Sequence, residues 1–302
     1  MPLSVIVTSC DSPDLLARCL EALVAQEEVG EIVVADGSTR DPTAAIQERF
    51  PRVRVLHFDT PGVPDLRWRA LRHTTGDLVA ATEARCTPAP DWCRILTQAH
   101  RDHPHVPAIG GAVTLRSGAS TFDWGVYLSE YALFAPPVDE GGSPQLSSAN
   151  LSYKRRALDA ERDLLEAGYW EAAIHDRWLR AGRALHLSSA VVIFQNGMSA
   201  GDALRMRFHT ARSYAAERLR HDPLRRLVYT VGSPLLVIVA TWRIARLTRR
   251  KRLTRQFWRA FGWIVVLNIA WSAGELVGYV AGAPSTRRTF RAPRRHKGKE
   301  KN

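Results

Sequence analysis

SVIVTSCDSPDLLARCLEAL (Ser4–Leu23), followed by EIVVADGSTRDPT (Glu31–Thr43), decides how the first half of this chain reads. Leu3–Thr8 is a short, β-branched apolar run without in/out alternation, the pattern of a strand covered on both faces. After the polar break Ser9–Asp14, apolar residues recur at helical spacing (Leu15, Leu16, Cys19, Leu20, Leu23) through Ala25. Ser12 before Pro13 has the composition of an N-cap with proline in the first turn. Working outward, Glu31–Ala35 reads as a second strand, Asp36-Gly37-Ser38-Thr39 as a turn and Thr43–Phe50 as a helix. Val53–His57 (strand), Asp65–Thr74 (helix) and Asp77–Ala81 (strand) continue the rhythm. Short apolar strands alternating with helices predict an α/β fold built on a Rossmann-like, mostly parallel sheet. Ligands of such sheets sit beyond the carboxyl ends of the strands. That singles out Ser9–Asp11, Asp36–Ser38 and Thr82–Cys86.

Asp11 and Asp36 follow the first two strands, where a carboxylate can accept hydrogen bonds from a ribose hydroxyl or a base N–H. Turn chemistry explains the same residues equally well, because Asp-Gly-Ser is a common turn composition. Neither G-x-G-x-x-G nor a Walker loop occurs, so neither standard phosphate cradle is present.

Further motifs follow in GDLVAATEARCTPAPDW (Gly76–Trp92), GGAV (Gly110–Val113), SSANLSYKRRAL (Ser147–Leu158) and AGYWEAAIHDRWLRAG (Ala167–Gly182). Together with the opening stretches, in this order and spacing, they resemble a family 2 glycosyltransferase of the GT-A fold over roughly residues 3–195. The resemblance implies transfer of a sugar from a nucleoside-diphosphate sugar, with inversion at the anomeric carbon. It implies that Thr8, Ser9, Asp11 and Asp36 hold the nucleoside and that Arg67 lies near the donor. Asn150, with Arg155 and Arg156, matches the segment that closes the donor–acceptor pocket. Counted back from Gly182, Trp170-Glu171 falls on the family's Glu-Asp pair and Arg177 on the arginine after it, which makes Glu171 the general base. Asp176 is the rival carboxylate.

One departure matters most. Glu83-Ala84-Arg85 stands where the family has its D-x-D metal motif. A divalent cation, Mg²⁺ or Mn²⁺, wants carboxylate oxygens and water. Here one carboxylate, Glu83, is joined by a guanidinium that repels a metal but can grip a diphosphate by bidentate hydrogen bonds. Three readings stay open: Arg85 replaces part of the metal's work, Glu83 alone holds a weaker cation, or the site is silent.

Other residues carry less chemistry. His175 and His186 fit no metal-ligand spacing. Trp124, Tyr127, Tyr131 and Phe134 form an aromatic stripe, read first as helix core and second as a sugar- or lipid-facing wall. Cys10, Cys19, Cys86 and Cys93 show no C-x-x-C pairing and read as buried free thiols.

The charge is divided. The 302 residues hold 42 Lys+Arg and 30 Asp+Glu, a formal +12. Residues 1–200 hold 19 cations and 25 acids, a net −6, which leaves 23 and 5, a net +18, for residues 201–302. An acidic first part with a basic tail excludes a whole-protein nucleic-acid binder. The tail contains Leu227–Trp242, 16 residues without charge, and Ala260–Thr286, 27 residues with Glu275 as sole charge. Between them Arg243–Arg259 carries eight cations and no acid. Such flanks suit anionic lipid headgroups better than a soluble core.

The expected organisation is a GT-A domain (1–200), a basic interfacial helix or linker (201–226), a membrane hairpin or re-entrant helix pair (227–286) and a basic disordered tail (287–302). Positive-inside bias opposes a hairpin that carries Arg243–Arg259 across, which favours a first segment lying in the interface or re-entering. The first residues lack a secretion signal, so the catalytic domain is expected on the cytosolic face of the cytoplasmic membrane. The acceptor is then a lipid-linked or membrane-proximal group. Absence of Q-x-x-R-W points to single-sugar transfer rather than processive synthesis. The alternative is a catalytically silent nucleotide-sugar-binding subunit of a membrane assembly.

Overall fold

The computed structural model describes residues 2–59, 62–166, 171–218 and 223–282. The first half runs β1 (Leu3–Ser9), α1 (Pro13–Val24), β2 (Val29–Asp36), α2 (Thr43–Arg49), β3 (Val53–His57), α3 (Val63–Leu71), β4 (Leu78–Glu83), β5 (Cys86–Pro88) and α4 (Trp92–Asp102). Then come β6 (Ala108–Leu115), α5 (Thr121–Tyr131), β7 (Gly141–Ser143), β8 (Leu151–Lys154), α6 (Arg155–Asp159), α7 (Arg162–Glu166), α8 (Glu171–Arg180) and β9 (Leu185–Phe194). Four helices end the described chain: α9 (Ala200–Arg218), α10 (Pro223–Gly232), α11 (Leu236–Arg250) and α12 (Thr254–Ala281), with a 3-10 turn at Ser233–Leu235.

The β-α rhythm of the opening stretch holds. β1, β2, β3 and β4 are parallel neighbours, and α1 buries the predicted face, Leu16, Cys19, Leu20 and Leu23, against them. Ser12 does not cap α1: its hydroxyl donates to the Cys10 carbonyl (2.9 Å), which leaves the first turn to Pro13. The full order is β3-β2-β1-β4-β8-β6-β9-β5, with β7 paired to β9 off this path. β8 runs antiparallel to both β4 and β6, so the sheet is mixed beyond β4. Because β8 runs backwards, its first residues lie at the carboxyl end of β4 and its last, with α6, at the opposite edge.

The aromatic stripe packs as core. Tyr127, Tyr131 and Phe134 are buried, Trp124 is half-buried, and the Tyr127 hydroxyl donates to the Val113 carbonyl (2.7 Å). Three thiols are buried as expected, but Cys10 is exposed because it sits in the loop after β1.

The helices after residue 200 are not a detached unit. Ile244, Phe257, Ala260, Ile264 and Leu267 belong to the same buried cluster as the sheet. Phe122 of α5 meets Trp263 of α12 edge-on at 4.9 Å. By length and composition, Leu227–Arg250 and Thr254–Ala281 could each cross a membrane. The predicted disordered tail, 287–302, lies outside the described residues.

Candidate functional site

Register sets the strand ends level: His57 beside Asp36, Asp36 beside Ser9, and Thr8 beside Glu83. Asp36 is fully buried. Its Oδ1 accepts from the Ser38 hydroxyl (2.7 Å), while Oδ2 accepts from the Ser38 N–H (3.0 Å) and meets His57 Nδ1 (2.9 Å). Asp11, in the left-handed region at φ 45°, accepts from the Thr39 N–H (2.9 Å) and hydroxyl (3.2 Å). Its own N–H donates to Ser38 Oγ (2.7 Å). Thr8 and Ser9 are buried, and their carbonyls accept from Ala84 and Gly37 N–H groups (both 2.9 Å). Thr8, Ser9, Asp11 and Asp36 therefore form one clasp, in which turn chemistry occupies Asp36 and leaves the Asp11 carboxylate at the surface. Although Cys10 as a residue is exposed, its sulfur is turned inward onto the Gly37 carbonyl (3.5 Å), and this partial desolvation, then the charges of Asp11 and Asp36, pushes the thiol up to about 11.

Beside this clasp lies a row of alternating charges. The guanidinium of Arg67 (α3) is fully buried, donates to the Ser148 carbonyl (2.8 Å) and pairs with both Glu171 and Glu83, the latter at 3.7 Å. Among the described residues its Nε has no partner. Burial pushes Arg67 below its ordinary value, against the opposing pull of Glu83. Glu83 also accepts from Arg85 (3.2 Å), whose guanidinium stacks 5.3 Å over Phe194 and reaches Met198 Sδ (3.7 Å). Burial works against charge on Arg85, but Glu83 and Glu130 outweigh it and hold the group above its ordinary value. The order Glu171–Arg67–Glu83–Arg85 puts a partly exposed carboxylate at each step beside a guanidinium suited to phosphate oxygens.

Sequence reasoning missed Glu130. It rides on α5 between Tyr127 and Tyr131, and burial pushes its carboxyl up against the pull of Arg85 and Arg207. Arg207 in turn stacks 4.7 Å over Trp271 of α12. An acid between two tyrosines of a stripe read as aromatic core was the available signal.

Three assignments need correction. Asn150 is fully buried and saturated: it donates to the Ala112 and Ala190 carbonyls (2.7 and 2.9 Å) and accepts from Trp92 Nε1 (2.8 Å), so it ties strands together. Arg155 donates to the Gly76 carbonyl (2.6 Å) and Thr74 Oγ1 (2.7 Å), at the start of β4. Arg156 reaches the Pro104 carbonyl on the same edge. The reversed direction of β8 carries both arginines away from Glu83. Asp176 pairs with Arg180 on an exposed face, and Arg177 ties α8 to Glu161 and Asp163. Trp170 lies outside the described residues. His175 meets the Tyr153 hydroxyl (3.0 Å), and His186 stacks on His103 at 3.9 Å.

The donor set does not fit a divalent cation. Glu83 is flanked by two guanidiniums, and no group of three metal-ligating side chains occurs among the described residues. A cation at Glu83 would displace or face both arginines.

Comparison with known proteins follows this geometry. The model of glycosyl transferase family 2 matches residues 4–160. A glucosyl-dolichyl phosphate glucuronosyltransferase of Haloferax volcanii is 28% identical over 128 residues, 37% of this chain and 38% of that protein. The chain thus matches well under half of that relative's length. Among solved structures, a Pyrobaculum calidifontis mannosyltransferase in complex with GDP-Man and Mn²⁺ superposes with a TM-score of 0.56 at 17% identity, covering 91% of this chain and 87% of that one. S. aureus TarS 1–349 with UDP-GlcNAc gives 0.52 at 16%, covering 94% and 93%. These two likenesses establish the GT-A fold.

Proposed function

Because this chain belongs to glycosyl transferase family 2, we propose that it moves one sugar from a nucleoside-diphosphate sugar to a lipid-linked or membrane-proximal acceptor. The row Glu171–Arg67–Glu83–Arg85, beside the Asp11–Asp36 clasp, carries this reading. The nucleoside sits in the clasp, and the diphosphate lies toward Arg85 and Arg67. The acceptor oxygen attacks the anomeric carbon, the bond from that carbon to the diphosphate oxygen breaks, and configuration inverts. Glu171 takes the acceptor proton, and the nucleoside diphosphate leaves with the bonding electrons. Arg85 stabilises that developing charge in the role a divalent cation fills where two carboxylates are present.

Two apolar helices with basic flanks support attachment to an anionic membrane. The dolichyl-phosphate relative favours a lipid-linked acceptor. The catalytic domain is then placed on the cytosolic face of the cytoplasmic membrane, where a soluble nucleotide donor would reach it. Two guanidiniums on Glu83 also favour a second reading, a silent nucleotide-sugar-binding subunit.

Detergent-purified protein, assayed with UDP-, GDP- and dTDP-sugars and a membrane-lipid extract, separates the readings. Transfer is expected to persist in EDTA and to fall about 10²–10³-fold in Arg85→Ala. Strict dependence on Mg²⁺ or Mn²⁺ would overturn the role of Arg85. Donor binding without turnover would favour the silent subunit. Loss of turnover in Asp176→Asn but not Glu171→Gln would move the base.

A further inference from the structure

Two helices here have the length and composition of membrane spans, yet each is packed along part of its length against the rest of the protein. α12 begins on the catalytic domain. Phe257, Ala260, Ile264 and Leu267 sit in the sheet's own core cluster, and Trp263 packs on Phe122 of α5. The part beyond that core, Asn268–Ala281, reaches only about 21 Å at 1.5 Å per residue, against a hydrocarbon core of about 30 Å. α11 is held at its other end. Ile244 is in the same core, and Lys251 donates to the Pro137 carbonyl. The uncharged run before it, Leu227–Trp242, reaches about 24 Å.

The outer parts of the helices are bound to a polar companion. α9 runs beside α12 in backbone contact. A Cβ at Gly274 would lie 2.2 Å from the Phe208 carbonyl, and one at Gly278 2.4 Å from the Arg212 carbonyl. α9 carries Arg205, Arg207, His209 and Arg212; Arg207 stays at the domain end opposite Glu130, but Arg212 lies level with Gly278, so an upright bundle would take it into hydrocarbon, where it is costly. On the return path, Ser272 donates to the Ser233 carbonyl (2.7 Å) and Asn268 to Thr241 (3.0 Å), which fixes α10–α11 antiparallel to α12.

The exposed faces differ in kind. Leu227, Val228, Val231, Leu235, Ile238 and Trp242 make one apolar stripe, and Trp258, Val266, Ile269, Leu276 and Val280 of α12 make a second. Exposed Arg243, Arg249, Arg250, Arg255 and Arg259 border them at the domain end.

We propose that α9–α12 form an amphipathic layer that lies along one leaflet of an anionic phospholipid membrane, with the α11 and α12 stripes in the acyl-chain boundary and no segment crossing. This deepens the membrane attachment proposed above and rests on it. It sets Trp271, and with it Arg207 opposite Glu130, at headgroup depth on the route from the membrane to Glu83.

The test uses the full chain in cell membranes, with cysteines introduced singly at exposed Asp159, Arg255 and Ala281 in a Cys10→Ser background. Membrane-impermeant maleimide is applied to inside-out vesicles and to intact spheroplasts. All three positions are expected to label from the same side, and A281C to stay unlabelled from the side opposite D159C. Labelling of A281C from the side opposite D159C means that α12 crosses, and overturns the proposal. Tryptophan quenching by brominated lipids reads the same point without new cysteines. Bromines near the headgroup are expected to quench more than bromines at the chain end, with part of the effect lost in Trp242→Phe. The reverse order overturns the proposal. Flotation on phosphatidylglycerol vesicles tests the underlying reading: protein that stays behind overturns membrane attachment itself, whereas protein that floats with A281C on the far side overturns only the one-leaflet layer.

Discussion

Arginine does opposite work in two regions of this molecule. In the candidate site, Arg67 and Arg85 are enclosed and matched, each to a carboxylate on a strand end or helix start. Along the helical layer, Arg243, Arg249, Arg250, Arg255 and Arg259 are exposed, and among the described residues none is paired with an acid. A buried guanidinium without a counter-charge is costly, so the candidate site balances its cations internally, and on the function proposed above it offers them to a ligand that brings its own negative charge. An exposed one costs little and remains available to a surface of opposite sign. On the function and the membrane layer proposed above, the same residue type serves a binding site in one place and a membrane-facing border in the other.

The strongest way to break this contrast is Arg67→Ala. It leaves Glu83 and Glu171 facing each other without their shared cation, and the expected cost is about 3–5 kcal/mol of stability with loss of transfer. Thermal melting and a turnover assay read both effects. A variant with wild-type stability would show that the matching in the candidate site is unimportant. Next is Gly278→Leu, which forces α9 and α12 apart where a Cβ already meets the Arg212 carbonyl. Overpacking of this kind costs about 1–3 kcal/mol, and vesicle binding is expected to fall with it. Unchanged melting would mean that the helical layer is looser than its packing implies.

A third prediction uses groups that titrate where arginine does not. Burial pushes His100 down to about 3 and His175 down to about 4. Unfolded histidine binds its proton near about pH 6.5, so between these values the unfolded state holds more protons. Stability is therefore full above about pH 6.5 and falls as the pH drops toward the folded values. Melting temperature followed from pH 7 to pH 4 should decline, and His100→Gln should flatten the curve. The smallest expected effect is Arg249→Ala, within about 0.5 kcal/mol in stability. It should weaken binding to anionic vesicles by about 1 kcal/mol and leave binding to neutral vesicles unchanged.

Much of the candidate site's arrangement, though not its role, was legible before the fold was known. Asp11, Asp36 and Glu83 follow short apolar strands, and parallel strands bring their carboxyl ends together by geometry alone. Arg67 and Glu171 came from spacing that resembles a known family, and the fold brings them into contact. Arg155 and Arg156 misled because direction is not encoded locally: a four-residue strand such as Leu151–Lys154 reads the same whether it pairs parallel or antiparallel. Asn150 misled because its three hydrogen bonds go to strands and a helix far away in sequence. Glu130 was hidden by its neighbours, since aromatic periodicity describes the helix face and says nothing of what faces a single acid.

The sequence by itself determined the β-α rhythm, the division of charge at about residue 200 and the order Glu83-Ala84-Arg85 after the fourth strand. These are local or additive properties, readable from residue order. Only the tertiary structure decided that β8 reverses, that Glu83 lies between two arginines, and that the two apolar helices are fastened to the catalytic core at one end. Those depend on contacts between residues far apart in the chain, where packing and charge balance select one arrangement among several that the local pattern allows.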